Sequence, residues 1–275
     1  MRTAQDNPEG LDPDADSYYV ALGDGAYQPT LHAQGAWQAH EQHMAPVSGL
    51  IAHVLQRTRP REDMQFAQFS FDILGMIPAR RSTVTARVVR PGRTIELLEA
   101  LMTVDGKDVV RCLAWRLQRH DTAAIAGGFW ENGPDPMPPR QTMPPWAGSQ
   151  VWGGGYIASL DFRSEPGHAP GRGRAWVGSR VGLVDGEPVS DLARYIGLVD
   201  TANGVATRAH PGEWLYPNLD LTIHLFRSPT AGWVGLDTEV VFGEQGLGLT
   251  SSRLYDVNGA VGRCEQILTV RPTPA

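Results

Sequence analysis

Asp220 and Gln266 place a carboxylate and an amide where a second copy of the same sequence pattern has Phe69 and Ala114. The pattern runs Phe69-Ser-Phe-Asp-Ile-Leu-Gly-Met-Ile-Pro78 in one half and Asp220-Leu-Thr-Ile-His-Leu-Phe-Arg-Ser-Pro229 in the other. Arg-Cys then follows at 111–112 and again at 263–264, each just after an Asp105-Gly106 or Asn258-Gly259 turn. The offset stays near half of the 275 residues. A carboxylate that takes a proton from water, beside an amide that holds the water, is an arrangement for general-base chemistry. Apolar residues in one copy and the polar pair in the other are what a duplicated unit with one surviving site would show.

Asp200 is the rival carboxylate. It lies in Asp191-Leu-Ala-Arg-Tyr-Ile-Gly-Leu-Val-Asp-Thr-Ala-Asn-Gly-Val-Ala206, a helical stretch apolar around most of its circumference. An unpaired charge there is costly, so its carboxyl is expected to bond a neighbouring hydroxyl or Asn203 and to have its pKa pushed upward. Asn203 and Gly204, just beyond it, are candidate substrate contacts. His224 alternates with Asp220 and Thr222 on one strand face, which makes it a candidate for the same cavity or a satisfied sheet histidine. His43 precedes the first helix in Glu41-Gln-His-Met-Ala-Pro46, where it either caps the helix or meets a ligand.

Other chemistries find little support. No Gly-x-Ser-x-Gly elbow occurs, and Val47-Ser48-Gly49 falls inside an expected helix. Cys112 and Cys264 sit at equivalent positions and read as small strand residues rather than activated thiolates or a disulfide. The eight histidines are scattered without metal-ligand spacing, and no glycine run forms a phosphate-cradling loop, so no cofactor is expected. A net charge of −6 and a pI near 5.7 argue against a nucleic-acid partner. No apolar run reaches the ~20 residues of a membrane span, and the polar start lacks a signal-peptide core, so a cytoplasmic location is expected.

The elements that must position these groups follow from periodicity. Residues 1–25 form a polar N-terminal segment, and a strand is expected over Ala26–Gly35. Met44–Gln56 reads as a helix, with Pro46 in its first turn and Val47, Leu50, Ile51, Val54 and Leu55 at helical spacing. Alternating runs at 64–77, 80–103 and 107–118 complete a first repeat over 26–118. Residues 119–150, with six of the 21 prolines, read as an extended connector. The second repeat, 151–275, has expected strands at 156–162 and 173–184, a helix from about Val189 to Thr207 capped by Ser190, and strands at 218–226, 232–243, 247–256 and 260–270.

The plan is α+β: a long helix wrapped by a curved antiparallel sheet, twice in tandem. Val88-Val-Arg-Pro-Gly-Arg-Thr-Ile-Glu-Leu98, Val199-Asp-Thr-Ala-Asn-Gly-Val205, Asp220-Leu-Thr-Ile-His-Leu225, Gly232-Trp-Val-Gly-Leu-Asp237 and Arg253-Leu-Tyr-Asp-Val-Asn-Gly259 resemble the double-hotdog acyl-CoA thioesterases of the thioesterase II type. The resemblance spans about Ala26–Pro272. It implies a double hotdog fold, an acyl-CoA or other acyl-thioester substrate, and a homodimer. It also implies a catalytic Asp and Gln, carried onto Asp220 and Gln266, with a Thr or Ser hydroxyl between them in sequence. Near Val240 and Val241, where the hydroxyl is expected, none stands; Thr238, Thr250 and Ser251 are the neighbours that offer one. His43-Met44-Ala45-Pro46 stands where the family often has His-Gly-Gly-Pro. An enoyl-thioester hydratase is disfavoured because no histidine has an Asp five residues before it. A non-catalytic acyl-thioester or small-lipid binding protein is the alternative.

Overall fold

Alternating apolar residues build the sheet, and Gly-containing turns reverse it. The computed structural model describes residues 6–128, 136–167 and 169–274. The first half supplies β1 (Ser17–Gly23), β2 (Ala26–Pro29), α1 (Met44–Arg57), β3 (Met64–Ile73), β4 (Ser82–Arg90), β5 (Ile95–Val104) and β6 (Lys107–Gln118). The second half opens with α2 (Gly155–Ala158), β7 (Leu160–Ser164), β8 (Arg172–Ser179) and β9 (Gly182–Asp185). There follow α3 (Asp191–Val199), α4 (Ala202–Val205), β10 (Trp214–Leu215), β11 (Asp220–Leu225), β12 (Trp233–Phe242), β13 (Leu247–Asp256), β14 (Gly259–Thr269) and β15 (Arg271–Pro272).

Among the described residues, thirteen strands form one sheet in the order β7-β8-β12-β13-β14-β11-β3-β6-β5-β4-β2-β1-β9, while β10 pairs with β15. Every pairing in the large sheet is antiparallel except β1 with β9. The halves join where β11 runs antiparallel to β3, with Ile223 opposite Phe69. Asp105 and Gly106 both take positive φ, 49° and 76°, which suits a tight hairpin between β5 and β6. One face of each strand turns inward: Phe69 and Phe71 of β3, Leu98 and Met102 of β5, and Leu221 and Ile223 of β11 are fully buried. Each such side chain contributes about 1.5–3 kcal/mol of burial.

The fold is thus the α+β double hotdog, with α1 and α3 on its inner face. The two helices touch at glycines: a Cβ on Gly49 would lie 2.8 Å from Gly197 Cα, and Ser48 Oγ donates to Ile196 O at 3.0 Å. His43 at the start of α1 lies beside Asp200 at the end of α3, while Ser190 at the start of α3 donates to Gln56 Oε1 at 2.5 Å. The helices are therefore antiparallel.

Several local expectations change. The strand expected at Ala26–Gly35 ends at Pro29, and a 3-10 turn occupies Leu31–Ala33. The polar N-terminal segment contains β1, whose Tyr18 and Tyr19 are buried. The run 80–103 is two strands, parted where Pro91-Gly92 breaks the alternation. Tyr156 belongs to α2 rather than to a strand. The connector packs as well as spans, because Met143 is buried and Trp146 meets Phe162 edge-on. The helix expected over Val189–Thr207 stops at Val199, and α4 resumes at Ala202. Among the described residues no helix is long and apolar enough to cross a membrane.

Candidate active site

The break between α3 and α4 puts Asp200 at a helix end, beneath the sheet and 6% exposed. Its Oδ1 accepts two amide N–H bonds, from Gln266 Nε2 and from Asn218 Nδ2, each at 2.8 Å. Its Oδ2 lies 3.5 Å from His43 Nδ1. Burial pushes the Asp200 carboxyl up to about 7, against the pull of the Asn218 and Gln266 amides, and the nearby Asp220 charge adds to the rise. A carboxyl with that pKa interconverts between acid and base near neutrality.

Gln266 comes from β14, where Cys264, Gln266 and Leu268 point inward and Arg263 and Ile267 outward. Because Asp200 can only accept when ionised, the contacting atom is the Gln266 amide nitrogen. Its Oε1 is buried with no hydrogen-bond partner among the described residues. Asn218 precedes β11 and spends both N–H bonds within the protein, the second on Asp220 O at 3.0 Å. Its carbonyl oxygen remains to accept.

His43 caps α1. Its Nδ1 accepts from Ala45 N at 3.1 Å, which assigns the ring proton to Nε2 in the neutral form. Burial holds the ring well below its usual range, at about 3, so the contact with Asp200 is not an ion pair. The His43 ring lies against Tyr156 at 4.2 Å, and the Tyr156 hydroxyl meets Thr201 Oγ1 at 2.7 Å. Of the four N–H positions that open α1, His43 bonds Ala33 O, Ala45 bonds the His43 ring, and Pro46 has none. The Met44 N–H is the donor that remains, at the positive end of the helix.

Asp200, His43, Met44, Asn203, Gly204 and Asn218 line a cavity of about 460 Å³. Its remaining wall is largely apolar, from Trp37, Met76, Ile77, Trp146, Trp152, Ile157 and Phe162. Gly154 and Gly155 bring α2 against the segment before α1: a Cβ on Gly155 would lie 1.8 Å from Leu31 O, and one on Gly154 2.2 Å from Gly35 O.

The sequence candidates divide. Asp200, Gln266, His43, Asn203 and Gly204 come together. Thr250 is buried opposite Gln266 on β13, with its hydroxyl 3.5 Å from Asn203 Oδ1. Asp220 and His224 stay outside this group. Asp220 Oδ1 accepts from Ile267 N at 2.6 Å and Oδ2 from Thr222 Oγ1 at 3.3 Å, so its carboxylate secures strands rather than meeting Gln266. His224 is exposed on the outer face of β11. Thr238 bonds Ser252 at 2.9 Å and Ser251 bonds Glu265, so neither hydroxyl reaches Asp200. Beside Gln266, the second group that bonds Asp200 is Asn218, which the sequence reading did not include; the resemblance had put a hydroxyl between Asp220 and Gln266 in sequence, near Val240 and Val241.

Residues 33–117 match the family model described as the acyl-CoA thioesterase N-terminal domain, and residues 133–270 match the acyl-CoA thioesterase C-terminal domain. Comparison with curated protein sequences gave no significant match. Among solved structures, a hotdog-fold protein of unknown function from Alicyclobacillus acidocaldarius is 13% identical with a TM-score of 0.72, covering 96% of this chain and 98% of that one. A putative thioesterase from Novosphingobium aromaticivorans is 19% identical, with a TM-score of 0.64 and coverage of 92% and 98%. The acyl-CoA thioesterase II TesB2 from Mycobacterium marinum is 17% identical, with a TM-score of 0.64 and coverage of 94% and 96%.

Proposed function

The chain belongs to the acyl-CoA thioesterase family, at that level an acyl-thioester hydrolase, and we propose that Asp200 activates its hydrolytic water. The observation that carries this reading is the double amide grip on Asp200 Oδ1, from Gln266 and Asn218, beside a cavity with apolar walls. The grip steadies the ionised carboxylate and leaves Oδ2 for a water proton.

In this reading the water donates one hydrogen to Asp200 Oδ2 and the other to Asn218 Oδ1. Its lone pair is then directed at the thioester carbonyl carbon. As the C–O bond forms, Asp200 takes the proton and the carbonyl oxygen gains the negative charge. The Met44 N–H, with the dipole of α1 behind it, receives that oxyanion, and His43 Nε2–H is a second donor. Collapse of the intermediate breaks the C–S bond. Asp200 then returns its proton to the departing sulfur, giving free acid and thiol.

The substrate in this proposal is acyl-CoA, with the acyl group in the apolar cavity. Asp220 is assigned a supporting role: it bonds Ile267 N, and its charge raises the Asp200 pKa. The test is thiol release from a panel of acyl-CoAs of increasing length. Turnover that tracks acyl structure supports the hydrolase. Tight acyl-CoA binding without turnover points instead to a binding protein with a decayed site.

A further inference from the structure

We infer that the acyl pocket selects a flat aromatic ring, carried one or two methylenes from the thioester carbonyl, over a linear chain of equal carbon number. This rests on the hydrolase reading, because it names the acyl group of that same site. The argument comes from how the cavity wall is built.

Two edge-to-face aromatic groups line the space. Trp37 meets Trp152 at 5.0 Å between ring centres with planes 84° apart, and both stand edge-on to Tyr216 behind them. On another part of the wall Trp146 meets Phe162 at 5.2 Å and 78°. A further ring can meet an aromatic wall face-on or edge-on, and each such contact adds to plain burial. A methylene chain gains only the burial.

The rings are also fixed. Trp152 Nε1 donates to Gly204 O at 3.1 Å, so swinging the indole aside would strand a backbone carbonyl. The approach is close, since a Cβ on Gly204 would lie 3.3 Å from Trp152 Nε1. Tyr216 is fully buried and its hydroxyl is tied to Ala209 O at 2.8 Å. Gly148 makes room for Phe162 in the same way, with a built Cβ 2.9 Å from Phe162 Cε2. Trp152, Tyr216 and Phe162 are thus held in place on this part of the wall.

The distance from the chemistry sets the linker. Gly204, which anchors Trp152, lies four residues beyond Asp200, across the break between α3 and α4, and all three residues line the same cavity. A ring beside Trp152 therefore calls for a short linker to a carbonyl at Asp200, and one or two methylenes is the length proposed. The same closeness excludes the distant adenine of CoA as the ring that this wall receives. The cavity, about 460 Å³, lies towards the small end of ligand sites and suits a compact acyl group.

The experiment compares carbon-matched pairs, phenylacetyl-CoA with octanoyl-CoA and phenylpropionyl-CoA with nonanoyl-CoA, by kcat/KM for thiol release. The expected result is an aryl preference of about five- to tenfold, from one or two ring contacts. It persists with the N-acetylcysteamine thioesters, which lack the nucleotide. In Trp152→Leu, shown to be folded by a cooperative thermal transition, the preference falls towards one because aryl turnover drops more than octanoyl turnover. Trp37→Leu gives a smaller loss. Linear chains hydrolysed as fast or faster by the wild type, or a preference lost when CoA is replaced, would overturn the ring selection alone. No thiol from any member would overturn the hydrolase reading and this inference with it.

Discussion

Gln266 Nε2 donates to Asp200 Oδ1 at 2.8 Å, while Asp220, close enough for its charge to act on Asp200, spends its own carboxylate on Ile267 N. Strand parity explains the choice. Leu221, Ile223 and Leu225 of β11 face inward, so Asp220, Thr222 and His224 face the other way. Gln266 faces inward from β14, where it meets the end of α3 rather than its neighbour's outer face.

The activity should follow the ionisation of Asp200. With its carboxyl at about 7, the base is present above that pH and protonated below it. The profile of kcat/KM against pH is expected to rise through about 7 and flatten above it. His43, held at about 3, stays neutral across this range and adds no limb. A rise centred near 4 would mean that an ordinary exposed carboxylate is the base.

Removing either amide should move that limb. Asn218→Leu or Gln266→Leu takes one hydrogen bond from the ionised form, worth about 1.5–3 kcal/mol to a charged group. The acid limb is then expected to shift upward by about one to two pH units, with a matching loss of rate at pH 7. Asn218→Ser, which keeps a donor, is expected to recover part of the shift. Rate loss without any shift would indicate a purely structural role.

Asp200 also leaves a mark on stability. Its folded pKa, about 7, lies above the ~3.9 of an unfolded Asp, so between these values the native state holds a proton that the unfolded state has released. Stability from this group is full below about pH 3.9 and is lost as pH rises to 7, about 4 kcal/mol in all. His43 acts oppositely: its depressed pKa makes the native state lose stability as pH falls below ~6.5. The two trends offset each other in the wild type over the window they share. Asp200→Asn is expected to raise the melting temperature at pH 8 and to change it little at pH 4. A lower melting temperature at pH 8 would contradict this account of the buried carboxyl.

The approach of α2 to the segment before α1 tolerates no side chain. Gly154 takes φ 94° with Gly35 O 2.2 Å from a built Cβ. Gly154→Ala combines backbone strain with overpacking, and is expected to cost about 3 kcal/mol or more in chemical denaturation. Gly243→Ala, where the nearest atom is Leu247 O at 3.5 Å, should stay within about 0.5 kcal/mol. Equal effects at the two positions would remove the close approach as the cause.

Much of the fold was legible because its signals are local. Alternation marked β3, β6 and β11–β14, and Asp105-Gly106 marked its hairpin from turn chemistry alone. The end of α3 was not legible. Val199-Asp-Thr-Ala-Asn-Gly204 keeps helical composition, while the bonds made at the break, from Asn218 and Gln266 to Asp200 and from Thr201 to Tyr156, come from residues distant in sequence. The alternation of β11 did contain a warning about Asp220, since Leu221, Ile223 and Leu225 can be buried together only if Asp220 turns outward. Asn218 escaped notice because it precedes the strand, where no periodicity assigns it a direction.

The central claim is that Asp200, not Asp220, activates the water. The most direct test is thiol release from one acyl-CoA that the wild type hydrolyses, by Asp200→Asn and Asp220→Asn, each shown to be folded. Loss of a general base predicts a fall in kcat of about 10²–10⁴-fold for Asp200→Asn. For Asp220→Asn the account predicts a kcat within about tenfold of wild type, with the main effect on stability. Activity retained in Asp200→Asn and abolished in Asp220→Asn would contradict it.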